Sequence, residues 1–220
     1  PLRVMHEAIA SDFMKTPVNF VIAGGKKYFD RREDEQDLLS ELLLRNYQVS
    51  SFLDLPLADI PISTRRNFIY FTADREPLPV SQGRDYLPFA SRLATNYLNR
   101  RSDGKGFFLL VEGSQIDWAG HANEGELVIN EILDFNRAVA KILSFAKRNE
   151  NTLVIVTADH ETGGFAIQNG SQMGEIQTAF TSNGHTAAMV PVFAYGPGSE
   201  LFRGIYENTE IYNKMWEAYG

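Results

Sequence analysis

Residues 111–124, VEGSQIDWAGHANE, place Glu112, Asp117 and His121 within ten positions of one another. A carboxylate and an imidazole four residues apart can be aimed at one ion, either by a single helical turn or by a tight loop. His185, in the stretch NGHTAAM, is of the right type to complete such a set. A second acid–imidazole pair, Asp159 and His160, stands in TADHETGG (157–164). Adjacent residues tend to point apart, so this pair is expected to reach different ions unless the backbone bends there. Glu112 offers only oxygen, which suits a harder cation such as magnesium. Three protein ligands with a fourth position left open make a catalytic zinc site. Two zinc ions beside a magnesium make a centre for phosphoryl transfer, in which the zincs clamp the attacking and leaving oxygens of an in-line displacement.

Each of these residues also has an ordinary structural reading. An Asp-x3-His pair on a helix is most often a solvated face, and an Asp-His pair after a strand can be a cap and a satisfied imidazole. Gly24-Gly25-Lys26-Lys27 reads as a strand-end turn, because G-x-x-x-x-G-K-[ST] is not matched. Ser114 lacks the G-x-S-x-G context of a hydrolase nucleophile. Trp118 reads as a lid or packing residue, and His6 as part of a helix with no glycine-flanked strand end beside it.

What favours a shared site is the set of elements that must carry these residues. The apolar run 107–111 reads as a strand leading into the opening loop. Asn123 is expected to cap the next helix, with Glu126 three residues on. Val128, Ile132, Phe135, Val139, Ile142 and Ala146 then recur at steps of four and three, predicting a helix to about Arg148. Residues 153–156 form a compact apolar strand. Strand, crossover helix and strand predict parallel neighbours in a sheet covered on both faces. Ligands in such sheets bind beyond the carboxyl ends of the strands, where Glu112 and Asp159 fall. Upstream, residues 18–23 and 67–72 read as strands, Leu38, Leu39, Leu42 and Leu43 as a helical face, 51–66 as loop, and Tyr86, Ala90, Leu93, Ala94 and Tyr97 as another helical face. Downstream, residues 190–195 form a last apolar run after His185.

Composition excludes several classes. The chain has 220 residues, 44% hydrophobic, enough for one substantial core. A net charge of -7, with no concentrated basic stripe, offers no footprint for nucleic acid. No apolar stretch approaches the roughly 18–20 residues of a membrane span. With no cysteine, thiolate metal sites and disulfides are absent. Pro1 opens the chain without an initiator Met or a leader, so the chain is expected to be a piece of something longer.

The combination of VEGSQIDWAGHAN, TADHETGG and NGHT, in this order, resembles the alkaline phosphatase family. The likeness extends to VIAGGKKYF near the start and NTEIYNKMW near the end. The resemblance implies an α/β fold with a mostly parallel central sheet between helical layers, present here as a partial domain spanning 1–220 as a single unit. It implies that Asp117, His121 and His185 bind one zinc, that Asp159 and His160 belong to a second zinc, and that Glu112 belongs to magnesium. The implied activity is hydrolysis of phosphate monoesters through an upstream phosphoserine. Family members are typically exported and often dimeric, which implies a periplasmic or extracellular protein and a homodimer. The insertion that some members carry between Gly164 and His185 is expected to shrink to a short hairpin or loop.

The family's nucleophile lies in a D-S-[AG] motif, yet no Asp-Ser dipeptide occurs in the 220 residues. The chain therefore resembles the carboxyl-terminal half, and alone is expected to show little or no phosphatase activity. The competing expectations are a non-catalytic metal-binding fragment or pseudoenzyme, and another hydrolase or mutase of the same superfamily.

Overall fold

The computed structural model of the chain describes residues 2–220, and Pro1 lies outside the described residues. The chain forms two compact units, Pro1–Leu109 and Leu110–Gly220.

The first unit contains α1 (His6–Phe13), β1 (Phe20–Ala23), α2 (Lys27–Asp30), α3 (Leu38–Leu44), β2 (Tyr47–Ser51), β3 (Asn67–Phe71) and α4 (Leu87–Arg101). Its three strands form a parallel sheet in the order β1-β3-β2. Side chains alternate across a strand, and β3 shows the consequence. Ile69 and Phe71 enter a core with Ala10, Met14, Phe29, Leu38, Leu42 and Tyr47 on one face. Phe68 and Tyr70 enter a second core with Leu57, Ala90, Tyr97 and Leu98 on the other. A parallel strand buried on both faces reads as a continuous apolar run, as NFIYF does. Helices α1 to α3 cover the first face and α4 the second, which gives the α/β layering expected of the sequence. Gly24 and Gly25 make the turn after β1. A side chain at Gly24 would lie 2.0 Å from the Arg75 carbonyl oxygen, and the Gly25 amide donates to that oxygen at 2.7 Å.

One element of this unit is absent from the sequence reading, and one reading changes. Residues 47–51 form a strand in register with β3, although YQVSS carries a single aliphatic residue. Residues 107–111 form no ladder. They keep the alternation of a strand: Phe107 and Leu109 pack on the second core, while Phe108 and Leu110 are 72% and 80% exposed. The pattern encodes the extended backbone, but a ladder also needs a partner strand.

The second unit contains α5 (Ser114–Ala122), α6 (Gly125–Asn149), β4 (Val154–Val156), β5 (Glu161–Thr162), β6 (Ala166–Ile167), β7 (Thr178–Ala179), β8 (His185–Thr186), β9 (Phe193–Tyr195) and α7 (Glu210–Tyr219). The expected parallel pairing of 107–111 with 153–156 does not form. β4 pairs with β9, antiparallel. β5 pairs with β8 and β6 with β7, also antiparallel. The β6–β7 hairpin occupies the interval between Gly164 and His185, as a shortened insertion requires. Helix α6 ends at Asn149, with Glu150 left-handed at φ 61°, close to the boundary expected from its periodicity. Its most buried stripe is Val128, Glu131, Asp134, Ala138 and Phe145, whereas Ile132 is exposed. Asn123 does not cap α6. It closes α5 in the left-handed conformation at φ 56°, which Asn tolerates better than most residues. Glu124 precedes α6 without a side-chain cap. Among the described residues no helix is long and apolar enough to cross a membrane.

Asp37 caps α3, accepting from the amides of Leu39 and Ser40 and from the Ser40 hydroxyl. The Ser40 hydroxyl and these amides hold the carboxyl below its ordinary value. A depressed folded pKa adds stability above the unfolded value, and that stability is lost as pH falls through the folded one. Asp37→Ala should therefore cost about 1 kcal/mol at neutral pH. The gap between variant and unaltered chain should close as pH drops below the usual carboxylate range, read from urea unfolding at the two pH values.

Candidate metal centre

All six residues singled out by the sequence lie in the second unit. Gly113 turns the chain into α5, where its missing side chain leaves room for Ile116 and for Phe135 of α6, each 3.0 Å from where a Cβ would stand. On α5, Asp117 and His121 are one turn apart and share a face. With its amide nitrogen turned toward them, Asn123 reaches the carbonyl oxygens of Ser182 (2.7 Å) and Gly120 (3.0 Å). That bond ties the segment leading to β8 against the end of α5. The next carbonyl, Asn183, lies 2.7 Å from His121 Nδ1. A carbonyl accepts only, so Nδ1 carries the proton and Nε2 is left with a bare lone pair. Holding a ligating imidazole by its other nitrogen is the usual way to orient it.

The second strand tip meets α5 because Gly120 has no side chain. A Cβ there would come within 3.1 Å of the Thr162 carbonyl oxygen, Cβ and Cγ2. The Thr162 hydroxyl donates to Asp117 Oδ1 at 2.6 Å and lies 3.2 Å from His160 Nδ1. A hydroxyl has one proton to give. Spent on the carboxylate, it leaves a lone pair for Nδ1–H of His160, so His160 Nε2 is also bare. That nitrogen lies 3.4 Å from Asp159 Oδ2. The backbone bends at Asp159 and His160, the condition under which the pair is expected not to point apart, and their ligand atoms converge.

Asp117, His121 and His185 form one cluster. His121 Nε2 is 3.2 Å from His185 Nε2, and Asp117 Oδ1 is 3.5 Å from the first and 3.7 Å from the second. Tetrahedral zinc with bonds of about 2.0–2.1 Å separates its ligand atoms by roughly 3.3 Å. The triangle fits that ion. Its two imidazoles are 42% and 43% exposed, so a fourth position faces solvent. The His160 ring stacks on His185 with centroids 3.5 Å apart and 21° between planes, so the Asp159–His160 pair adjoins the triangle. Glu112 is exposed in the loop before α5 and lies outside the cluster. His6 stacks on Tyr28 in the first unit, Ser114 opens α5, and Trp118 is exposed on it.

Sequence reasoning missed Thr162, the hydroxyl between the two ligand sets. Its signal was present in the wording HETGG, two residues beyond His160, but its tie to Asp117 spans 45 positions.

Zinc binding to the chain, measured by competition with a chromophoric chelator, should separate these roles. Thr162→Val should weaken binding about 10–100-fold, the usual cost of an outer-shell partner. Asp117→Ala and His185→Ala should each cost more than that. Glu112→Ala should leave zinc affinity unchanged.

A family model for alkaline phosphatase matches residues 90–179 and 169–220. The chain is 28% identical to alkaline phosphatase 3 of Bacillus subtilis (strain 168), over 96% of its own length and 61% of that relative. It is 36% identical to streptomycin-6-phosphate phosphatase of Streptomyces griseus, over 56% of its own length and 31% of the relative. Among solved structures, the alkaline phosphatase of the Antarctic bacterium TAB5 superposes with a TM-score of 0.86 at 40% identity, covering 97% of this chain and 64% of that one. A variant of the TAB5 enzyme was solved with magnesium in its M3 site. The chain thus spans about three-fifths of the length of the Bacillus relative and of the TAB5 structure. With a family match over more than half its residues, on top of the ligand order and the α/β layering, the chain belongs to the alkaline phosphatase family.

Proposed function

We propose that the full-length protein to which this chain belongs hydrolyses phosphate monoesters, using two zinc ions and a magnesium. In this reading the two units are the carboxyl-terminal portion of a single alkaline phosphatase-like domain. The observation that carries the reading is the triangle of Asp117 Oδ1, His121 Nε2 and His185 Nε2, open on one side. When bound, zinc supplies Lewis acidity toward phosphate oxygens and lowers the pKa of water. Asp117, His121 and His185 would hold one zinc. Asp159 and His160 would contribute to the second, together with an acid from outside this chain. Glu112 would serve magnesium.

The chain's own residues do the positioning. Asn183 fixes the His121 tautomer through its carbonyl, and Thr162 fixes that of His160 while restraining Asp117. The nucleophile is not among the 220 residues, since no serine follows an aspartate. A serine in a D-S-[AG] motif upstream would attack phosphorus and form the covalent intermediate. Export to the periplasm or the extracellular space, and assembly as a homodimer, belong to the same reading.

A chromogenic phosphate monoester tests it. The chain alone, supplied with zinc and magnesium, should turn over at background rates. Joined to the preceding polypeptide it should become active by orders of magnitude, and Asp117→Ala should remove that activity. Robust turnover by the isolated chain would contradict the assignment of the nucleophile.

A further inference from the structure

The ladder that delivers His185 is two residues long, with Glu161 opposite Thr186 and Thr162 opposite His185. So short a pairing carries few backbone bonds of its own. A slip of one residue would turn His185 to the opposite face of its strand, away from Asp117 and His121. Bonds outside the ladder must help to hold the register, and the side chain of Glu161 is placed to supply one. Its carboxylate accepts from the hydroxyl of Thr186, the residue directly across the ladder. It also accepts from the amides of Gly164 and Phe165, each at 3.0 Å. Those two bonds fold the chain sharply after Thr162, through Gly163 and Gly164 at φ 89° and 59°. The folded turn in turn meets the segment before β8. The Gly163 amide donates to the Gly184 carbonyl at 2.9 Å, and the Gly163 carbonyl accepts from Thr181 and Ser182.

We propose that Glu161 is a positioning residue of the metal centre, a carboxylate that locks β8 in register with β5 so that His185 Nε2 meets Asp117 and His121. It ligates nothing itself. Glu161 and Thr162 face opposite ways from one strand: the first fixes where His185 arrives, and the second ties Asp117 to His160. The proposal rests on the metal-centre reading above only for what the register is used for. The register is a property of the chain without metal.

The test pairs two readouts on the chain. The first is the cross-strand nuclear Overhauser effect between Thr162 and His185 in metal-free protein. The second is cobalt affinity, followed through the ligand-field absorption of a tetrahedral site. Glu161→Gln leaves one acceptor oxygen and turns an amide nitrogen toward donors. It should erase the cross-strand effect and weaken cobalt binding about 10–100-fold. Thr186→Val should do the same, Thr186→Ser should match the unaltered chain, and the double variant should lose no more than either single one. Unchanged register and affinity in Glu161→Gln would overturn the proposal, as would Thr186→Ser failing as badly as Thr186→Val. If Glu161→Gln does not fold, the Thr186 pair decides. An unaltered chain that shows the cross-strand effect but takes up no cobalt would overturn the metal centre and leave the register lock standing.

Discussion

Three ligand atoms, Asp117 Oδ1, His121 Nε2 and His185 Nε2, are held 3.2 to 3.7 Å apart. The Asn183 carbonyl keeps the proton of the neutral His121 ring on Nδ1, so His121 Nε2 accepts, from His185 Nε2–H in the metal-free chain or by binding a cation. Much of the second unit can be understood as the scaffold that keeps these atoms together before any ion arrives. Helix α5 sets two of them one turn apart, and α6 backs α5 through Phe135 against Gly113. The third atom comes from β8, 64 residues beyond His121. Preorganisation of this kind lowers what an incoming ion must spend on ordering its ligands.

The scaffold achieves this with very little regular structure near the ligands. β5 and β8 are two residues each, and side-chain bonds replace the ladder that longer strands would supply. Gly120 lets β5 lie against α5, and Asn123 draws the segment before β8 onto the end of α5. Burial works against the charged form of Glu161, but the Thr186 hydroxyl and the Phe165 and Gly164 amides outweigh it and keep the carboxyl below its ordinary value. The parallel sheet of the first unit is the opposite case. There, apolar side chains on both faces of β3 pack the sheet between two cores.

How much of this was legible in the sequence depended on the range of the interaction. Helices α4 and α6 were legible because apolar residues at steps of three and four mark a face regardless of what it packs against. The ligand types and their spacing were legible, and so was the family order of the three motifs. β2 was not, since YQVSS has too few aliphatic residues to show a strand. The stretch 107–111 reads as a paired strand because it is an unbroken apolar run. Such a run suits an extended backbone and says nothing about hydrogen-bond partners. Asn123 reads as a helix start yet ends α5, because asparagine suits both a helix start and a left-handed helix end. The convergence of Asp159 with His160 depends on a local bend, and the Thr162 bridge on two elements 45 residues apart in sequence. Neither leaves a periodic trace.

The proposed function depends first on a preformed three-ligand site for zinc in the second unit. X-ray absorption at the zinc edge of the chain loaded with one equivalent of zinc tests this most directly. The account predicts a four-coordinate ion with two imidazole nitrogens and two oxygens, one from Asp117 and one from solvent, at about 2.0–2.2 Å. A spectrum with no imidazole, or with six oxygen neighbours, would contradict it.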